Sequence, residues 1–106
     1  MEENKIIIYT SSDGQTKIDV RLEDETLWLT QQQIAELYQT SRTNVVEHIK
    51  HIYEEQELDE NSTCRNFRQV RIEGSRQVER EMPFYNLDMI ISLGYRIKSR
   101  KEYYYR

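Results

Sequence analysis

Two sets of residues carry the chemistry this sequence offers, and both suit a polyanion. The first lies within TQQQIAELYQTSRTNVVEHIK, Thr30–Lys50. There Ser41, Arg42, Thr43, Val46, Glu47 and Lys50 point outward from a helical pattern whose other face is Val45, Ile49 and Ile52. Arginine offers a planar fork of donors, so Arg42 suits either a guanine edge, held bidentately, or a phosphate. Val46 lies off the buried stripe and suits a thymine methyl, or equally partial burial against a hairpin or a partner. Asn44 is an oblique candidate for adenine. Thr30 and Gln31 open the preceding helix, where unpaired backbone N–H groups favour a phosphate. Taken singly, Gln31, Gln32 and Gln33 also fit a solvated helix surface.

The second set is Arg65, Arg68, Arg71, Arg76 and Arg80, with only Glu73, Glu79 and Glu81 among them. Arg71, Arg76 and Arg80 crowd the expected tip of a hairpin and give it the charge to touch a phosphate backbone. The competing reading is a solvated sheet laced with ion pairs. The surplus of arginine favours the first.

Charge distribution agrees. The net charge is −4, but residues 1–60 hold five Lys/Arg against fourteen Asp/Glu, and residues 61–106 hold ten against five. The halves therefore carry −9 and +5, and the local potential of a patch governs polyanion binding more than the total does. No catalytic constellation stands beside these sets. There is no glycine-rich phosphate loop, no nucleophile elbow and no Cys–His pair with an orienting third group, so the chain is not expected to be an enzyme. His48, His51 and Cys64 form a weak metal set without a second cysteine, and neither metal nor cofactor is expected. A single cysteine excludes an internal disulfide and fits a reducing compartment. MEENKIIIY has neither the basic start nor the apolar length of a signal peptide, and no run reaches a membrane span. The expectation is a cytoplasmic protein without membrane contact.

The elements that must position these residues follow from pattern and punctuation. KIIIYT (Lys5–Thr10) is rich in strand-forming residues, and Asp13-Gly14 signals a hairpin turn. TKIDVRL alternates Ile18, Val20 and Leu22 with polar residues, as a half-buried strand does. EDET is a turn, and LWL a short extended lead into the next helix. Thr30 and Gln33 make a capping box, so a helix starts at Gln31 with Ile34, Leu37 and Tyr38 as its stripe. Ser41 caps a second helix from Arg42 to about Glu55, with Val45, Ile49, Ile52 and Tyr53 inward. Two helices with so short a break read as a helix-turn-helix. Ala35 is small enough for the crossing, and Gln39 stands where such units place a residue of positive φ. EEQELDENST reads as a loop.

CRNFRQVRIEGSRQVEREMPF reads as a hairpin about Gly74-Ser75, a type II′ turn. Its register sets Arg71 opposite Val78, Gln69 opposite Arg80 and Phe67 opposite Met82. Asn86 caps a last helix, LDMIISL, with Gly94 as its left-handed C-terminal residue. Tyr103, Tyr104 and Tyr105 read as an exposed tail over 100–106.

The sequence from about Asn4 to Ser99 resembles the virulence-associated RhuM family. The resemblance is carried by IIIYTSSDGQTKIDVRLEDETLWLTQQQIAELY, SRTNVVEHIKHIY, STCRNFRQVRIEG and PFYNLDMIISLGYRIKS. It implies a bacterial protein with an N-terminal DNA-binding-like domain. It also implies a longer chain, so the departing end RKEYYYR reads as a fragment or a short form.

Together these readings predict a single α+β domain over 1–106. It is winged helix-turn-helix-like, with an N-terminal β-hairpin packed on three helices and a second β-hairpin as the wing. The expected function is DNA binding in a transcriptional regulator, on double-stranded DNA. The expected contacts are Thr30, Gln31, Ser41, Arg42, Thr43, Val46, Glu47, Lys50, Arg71, Arg76 and Arg80. The alternative is a protein–protein interaction module on the same scaffold, docking a partner or a toxin-type domain; besides DNA, the partners expected are a second copy in a homodimer or another protein.

Overall fold

A computed structural model describes residues 5–10, 12 and 14–104, with side chains at 6, 8–10, 12 and 14–98. The strands are β1 (Lys5–Thr10), β2 (Lys17–Glu23), β3 (Thr26–Thr30), β4 (Cys64–Glu73) and β5 (Arg76–Asn86). The helices are α1 (Gln31–Tyr38), α2 (Arg42–Glu54), α3 (Glu60–Thr63) and α4 (Leu87–Tyr104). The α+β expectation holds.

All five strands form one antiparallel sheet in the order β1-β2-β3-β5-β4. The two hairpins expected as separate units are therefore joined, which corrects the sequence reading. The joint is LWL. Trp28, Leu29 and Thr30 pair with Asn86, Tyr85 and Phe84, and Trp28 also faces Arg21 across β2. A three-residue pattern is too short to show periodicity, so it read as a lead-in although it is the centre of the sheet.

The strand period of two divides the sheet into faces. Ile18, Val20, Leu29 and Tyr85 point to one side. There Ile34, Ala35, Val45, Ile49, Ile52, Met89, Ile90 and Leu93 of α1, α2 and α4 complete the main core. Trp28 and Phe84 point to the other side yet are only 3% and 2% exposed. Phe67 packs edge-on against both, at centroid distances of 5.7 and 5.1 Å. The guanidinium of Arg21 lies 4.4 Å over Phe67 and that of Arg65 lies 4.6 Å over Trp28, closing a second small core.

Turn chemistry follows the expected rules with two substitutions of residue type. Asp24 and Glu25 both take left-handed φ, 57° and 62°, as a type I′ turn demands. At Gly74 φ is +66° while Ser75 stays out of that region, the pattern of type II′. The register of the second hairpin is the predicted one through Phe67–Met82, Gln69–Arg80 and Arg71–Val78. Gly14 has φ +76°, and its expected turn partner Asp13 lies outside the described residues. Pro83 falls where β3 has ended, since Thr30 pairs with Phe84, so at Pro83 only β4 is alongside. A strand with one neighbour tolerates the missing N–H.

The capping box at Thr30 and Gln33 is formed, with N–H to oxygen distances of 3.1 and 2.9 Å. Ser41 caps α2 through the Asn44 N–H at 3.0 Å. The segment expected to be a loop contains one helical turn, α3. Thr63 pins it by donating to the Asp59 carbonyl, 2.8 Å, and by bonding the Tyr53 hydroxyl, 2.8 Å. Burial pushes the Tyr53 phenol up to about 12, against the lowering effect of the Thr63 bond.

Asn86 accepts from the Met89 N–H and starts α4 as expected. Gly94 does not end that helix. α4 continues to Tyr104, so residues 100–104 are helical rather than a tail, and the side chains of Tyr103–Tyr105 lie outside the described set. The glycine serves close approach: a Cβ there would come within 2.5 Å of the Tyr38 hydroxyl oxygen, which itself donates to the Ile90 carbonyl at 2.7 Å. Propensity favours alanine at a mid-helix site, but the clash opposes it. Gly94→Ala is expected to destabilise the fold by ~1–3 kcal/mol through overpacking, read in a denaturant titration. A gain in stability would show that Tyr38 moves aside freely.

Candidate nucleic-acid interface

α1 and α2 are joined by Gln39-Thr40-Ser41. Gln39 adopts φ 55°, ψ 51°, its N–H bonds the Glu36 carbonyl at 3.3 Å, and Thr40 N–H bonds Ala35 at 2.9 Å. These are the two bonds of a Schellman ending, made with glutamine where glycine is usual. Gln56 ends α2 in the same way, at φ 59° with bonds to Tyr53 and Ile52. Asn44 ties the turn by donating to the Thr40 hydroxyl at 2.9 Å. Its amide is thus engaged in the turn rather than projected as a base reader. Ala35, 1% exposed, sits in the core between the helices.

On α2 the structure keeps the predicted division. Val45, His48, Ile49 and Ile52 are buried, while Ser41, Arg42, Thr43, Glu47 and Lys50 are exposed and Val46 is half-buried. Thr30 leaves the expected contact set. It is 5% exposed and its hydroxyl accepts from Gln33, so its role is the cap. Gln31 has a more specific place than its sequence suggested. Its amide donates to the Tyr85 hydroxyl at 3.2 Å, and its oxygen accepts from Arg42 at 3.0 Å. This links the first residue of α2 to β5 through the first residue of α1. The partners are 54 and 11 residues away in sequence, so no local pattern could have revealed them.

The β4–β5 hairpin leaves the sheet at Thr30–Phe84 and projects as a two-stranded ribbon. At strand rise the free part spans roughly 25 Å. The molecule is correspondingly long, 49 × 33 × 29 Å, with a radius of gyration of 15.0 Å, against about 13 Å for a compact chain of this size. β3 runs toward Thr30 and β5 runs back from the ribbon tip, so the ribbon emerges from the sheet end at which α1 begins. The N-terminus of α1 and the ribbon's root therefore share one end of the molecule, and the Arg42 side chain of α2 reaches it through Gln31.

The ribbon's arginines are not equivalent. Arg65 pairs with Asp24 at 2.5 Å and belongs to the second core. Arg68 pairs with Glu79 at 3.6 Å and Arg80 with Glu73 at 3.3 Å, both exposed. Arg71 and Arg76 make no ion pair among the described residues and stand exposed near the tip. By register Arg71, Arg76 and Arg80 lie on one face of the ribbon, the face that carries Phe67 at its base. His48 and His51 diverge, one buried and one exposed, and no group of three His, Cys, Asp or Glu side chains gathers as metal ligands among the described residues. Burial pushes the half-buried Cys64 thiol up, away from reactive thiolate.

The geometry defines a small α+β domain that presents a short two-helix unit and an arginine-bearing ribbon at one end. The profile of the Virulence protein RhuM family matches residues 62–106, from within α3 through the ribbon and α4. The resemblance read from the sequence is thus shown over that stretch. No curated protein and no solved structure matches the chain. Among the described residues no helix is long and apolar enough to cross a membrane.

The turn itself is open to test. An L-residue in the left-handed region costs about 1–2 kcal/mol, and glycine gives part of that back as unfolded-state entropy. Gln39→Gly is expected to raise stability by ~0.5–1 kcal/mol in thermal melts. A lower melting temperature would mean that the Gln39 side chain holds the turn by contacts of its own.

Proposed function

We propose that the domain binds double-stranded DNA as a winged helix-turn-helix module, with α2 in the major groove and the β4–β5 ribbon as the wing on the phosphate backbone. The supporting observation is that α1 begins at the ribbon root and that the first residue of α2 is tied there through Arg42, Gln31 and Tyr85. Helix N-termini favour anions, and the exposed Arg71 and Arg76, without an ion pair among the described residues, add positive charge alongside. On this reading Arg42, Thr43, Glu47 and Lys50 face the groove, Val46 lies at its margin, and the protein is a cytoplasmic regulator of transcription without catalytic activity. A second reading, a protein-docking module, draws support from the apolar side chains exposed along α4.

Salt dependence separates the two. Replacing Arg71, Arg76 and Arg80 together with Gln is expected to lower the slope of log affinity against log salt by ~2 units, because Arg80 must first leave Glu73. Melting should hardly change, since exposed ion pairs contribute little. An unchanged slope with an intact fold would remove the wing.

Arg42→Ala is expected to weaken binding. A loss of ~1–3 kcal/mol confined to one base position assigns Arg42 to a base edge. A uniform loss assigns it to phosphate, and unaltered binding removes α2 from the interface.

A further inference from the structure

α4 buries Met89, Ile90, Leu93 and Ile97 against the core but leaves a second apolar row in solvent. Leu87 is 38% exposed, Ile91 59% and Tyr95 74%. Spaced four residues apart, they lie one above another on the helix surface. Beside them opens a groove of about 280 Å³ between α4, α1 and the helix-bearing face of the sheet, walled by Tyr9, Leu27, Leu37 and Tyr38 and rimmed by Leu87 and Ile91. Row and groove form one apolar surface, of the kind that marks an interaction site rather than scattered exposure.

The charges flanking the row indicate what covers it. Asp88, at the start of α4, and Lys98, ten residues on, are both exposed. On a helical wheel both lie within the sector that carries Ile91 and Tyr95. Their midpoint is residue 93, midway between Ile91 and Tyr95. Two copies of α4 laid antiparallel about that height set Ile91 of one against Tyr95 of the other. The same placement sets Asp88 against Lys98, twice, by symmetry. A two-fold interface must be self-complementary in this way. A parallel arrangement would instead place Asp88 on Asp88.

We infer that this face of α4, with its groove, is the interface of a homodimer in which the two helices pair antiparallel, Ile91 against Tyr95 and Asp88 against Lys98. The groove then receives the edge of the second copy at the level of Ile91. This interface stands apart from the nucleic-acid reading and uses none of its residues.

Sedimentation equilibrium of the whole chain tests it, since the monomer mass is 12.9 kDa. A dimer is expected, and Ile91→Glu or Tyr95→Ser should leave monomers with the circular dichroism of the parent and a cooperative melting transition that no longer depends on concentration. Asp88→Lys and Lys98→Asp should each weaken association by at least ~5-fold, since each turns two attractive contacts repulsive. An equimolar mixture of these two variants, or the double exchange within one chain, should restore it. A parent chain that stays monomeric overturns the proposal and leaves the surface to an unlike partner. A dimer indifferent to Ile91→Glu overturns it as well. A dimer lost with Ile91→Glu but unmoved by either charge reversal overturns the antiparallel pairing and the inference with it.

Discussion

The architecture turns on one residue with two structural duties. Thr30 is the last residue of β3, paired with Phe84, and at the same time the N-cap of α1. No loop separates strand from helix, so the direction of α1 is set by the sheet to within the freedom of one cap. The Schellman turn at Gln39 then sets α2 relative to α1, and Gln31 returns a bond from α2 to β5. The same Thr30–Phe84 pair marks where the ribbon leaves the sheet. Were a flexible loop inserted at this point, the helices and the ribbon would each fold much as before, but their relative placement would no longer be fixed.

A free two-stranded ribbon is marginal on its own in water, so its root needs support. The second core supplies it. Trp28 from β3, Phe67 from β4 and Phe84 from β5 interlock edge to face, with Arg21 and Arg65 over the rings. Arg65 is further held by Asp24 and Glu23, and the Trp28 indole donates to the Glu23 carbonyl at 2.9 Å. The β2–β3 turn thus anchors the hairpin that follows it by some forty residues. This division explains why the arginines of the ribbon differ: Arg65 is structural, while Arg71 and Arg76, beyond the reach of this cluster, stand in solvent.

Much of this was legible in the sequence wherever a local rule was strong. The Thr30–Gln33 box, the Ser41 cap, the positive φ at Gln39 and the ribbon register about Gly74-Ser75 all depend on a few neighbouring residues. What was not legible depends on distant ones. Gly94 carries a stop signal for a helix, but its actual neighbour is Tyr38, 56 positions earlier, and the close approach outweighs the propensity. β3 is too short to show a period, so the joining of two hairpins into one sheet could not be seen. Trp28 and Phe84, read by hydrophobicity alone, would be placed in the main core. That they form a separate one follows only from the pleat and the pairing.

The acidic half of the chain acquires meaning from this arrangement. Glu54, Glu55 and Glu57 lie at or just past the C-terminal end of α2, where the helix dipole is already negative and acidic groups are unfavourable. Arg96 of α4 offsets this by reaching Glu55 at 2.7 Å and Glu57 at 2.9 Å, and its bonds, with that of Ser92, hold the Glu57 carboxyl below the usual range. Glu54, Glu55 and Glu57 therefore lie at the end of α2 remote from Arg42. The helix dipole and the fixed charges point the same way along α2, positive at Arg42 and negative at Glu54–Glu57. On the proposed reading this polarity turns the α2 N-terminus and the ribbon toward a polyanion during approach. A net negative charge then opposes non-specific adhesion through the rest of the surface without opposing contact at that one end.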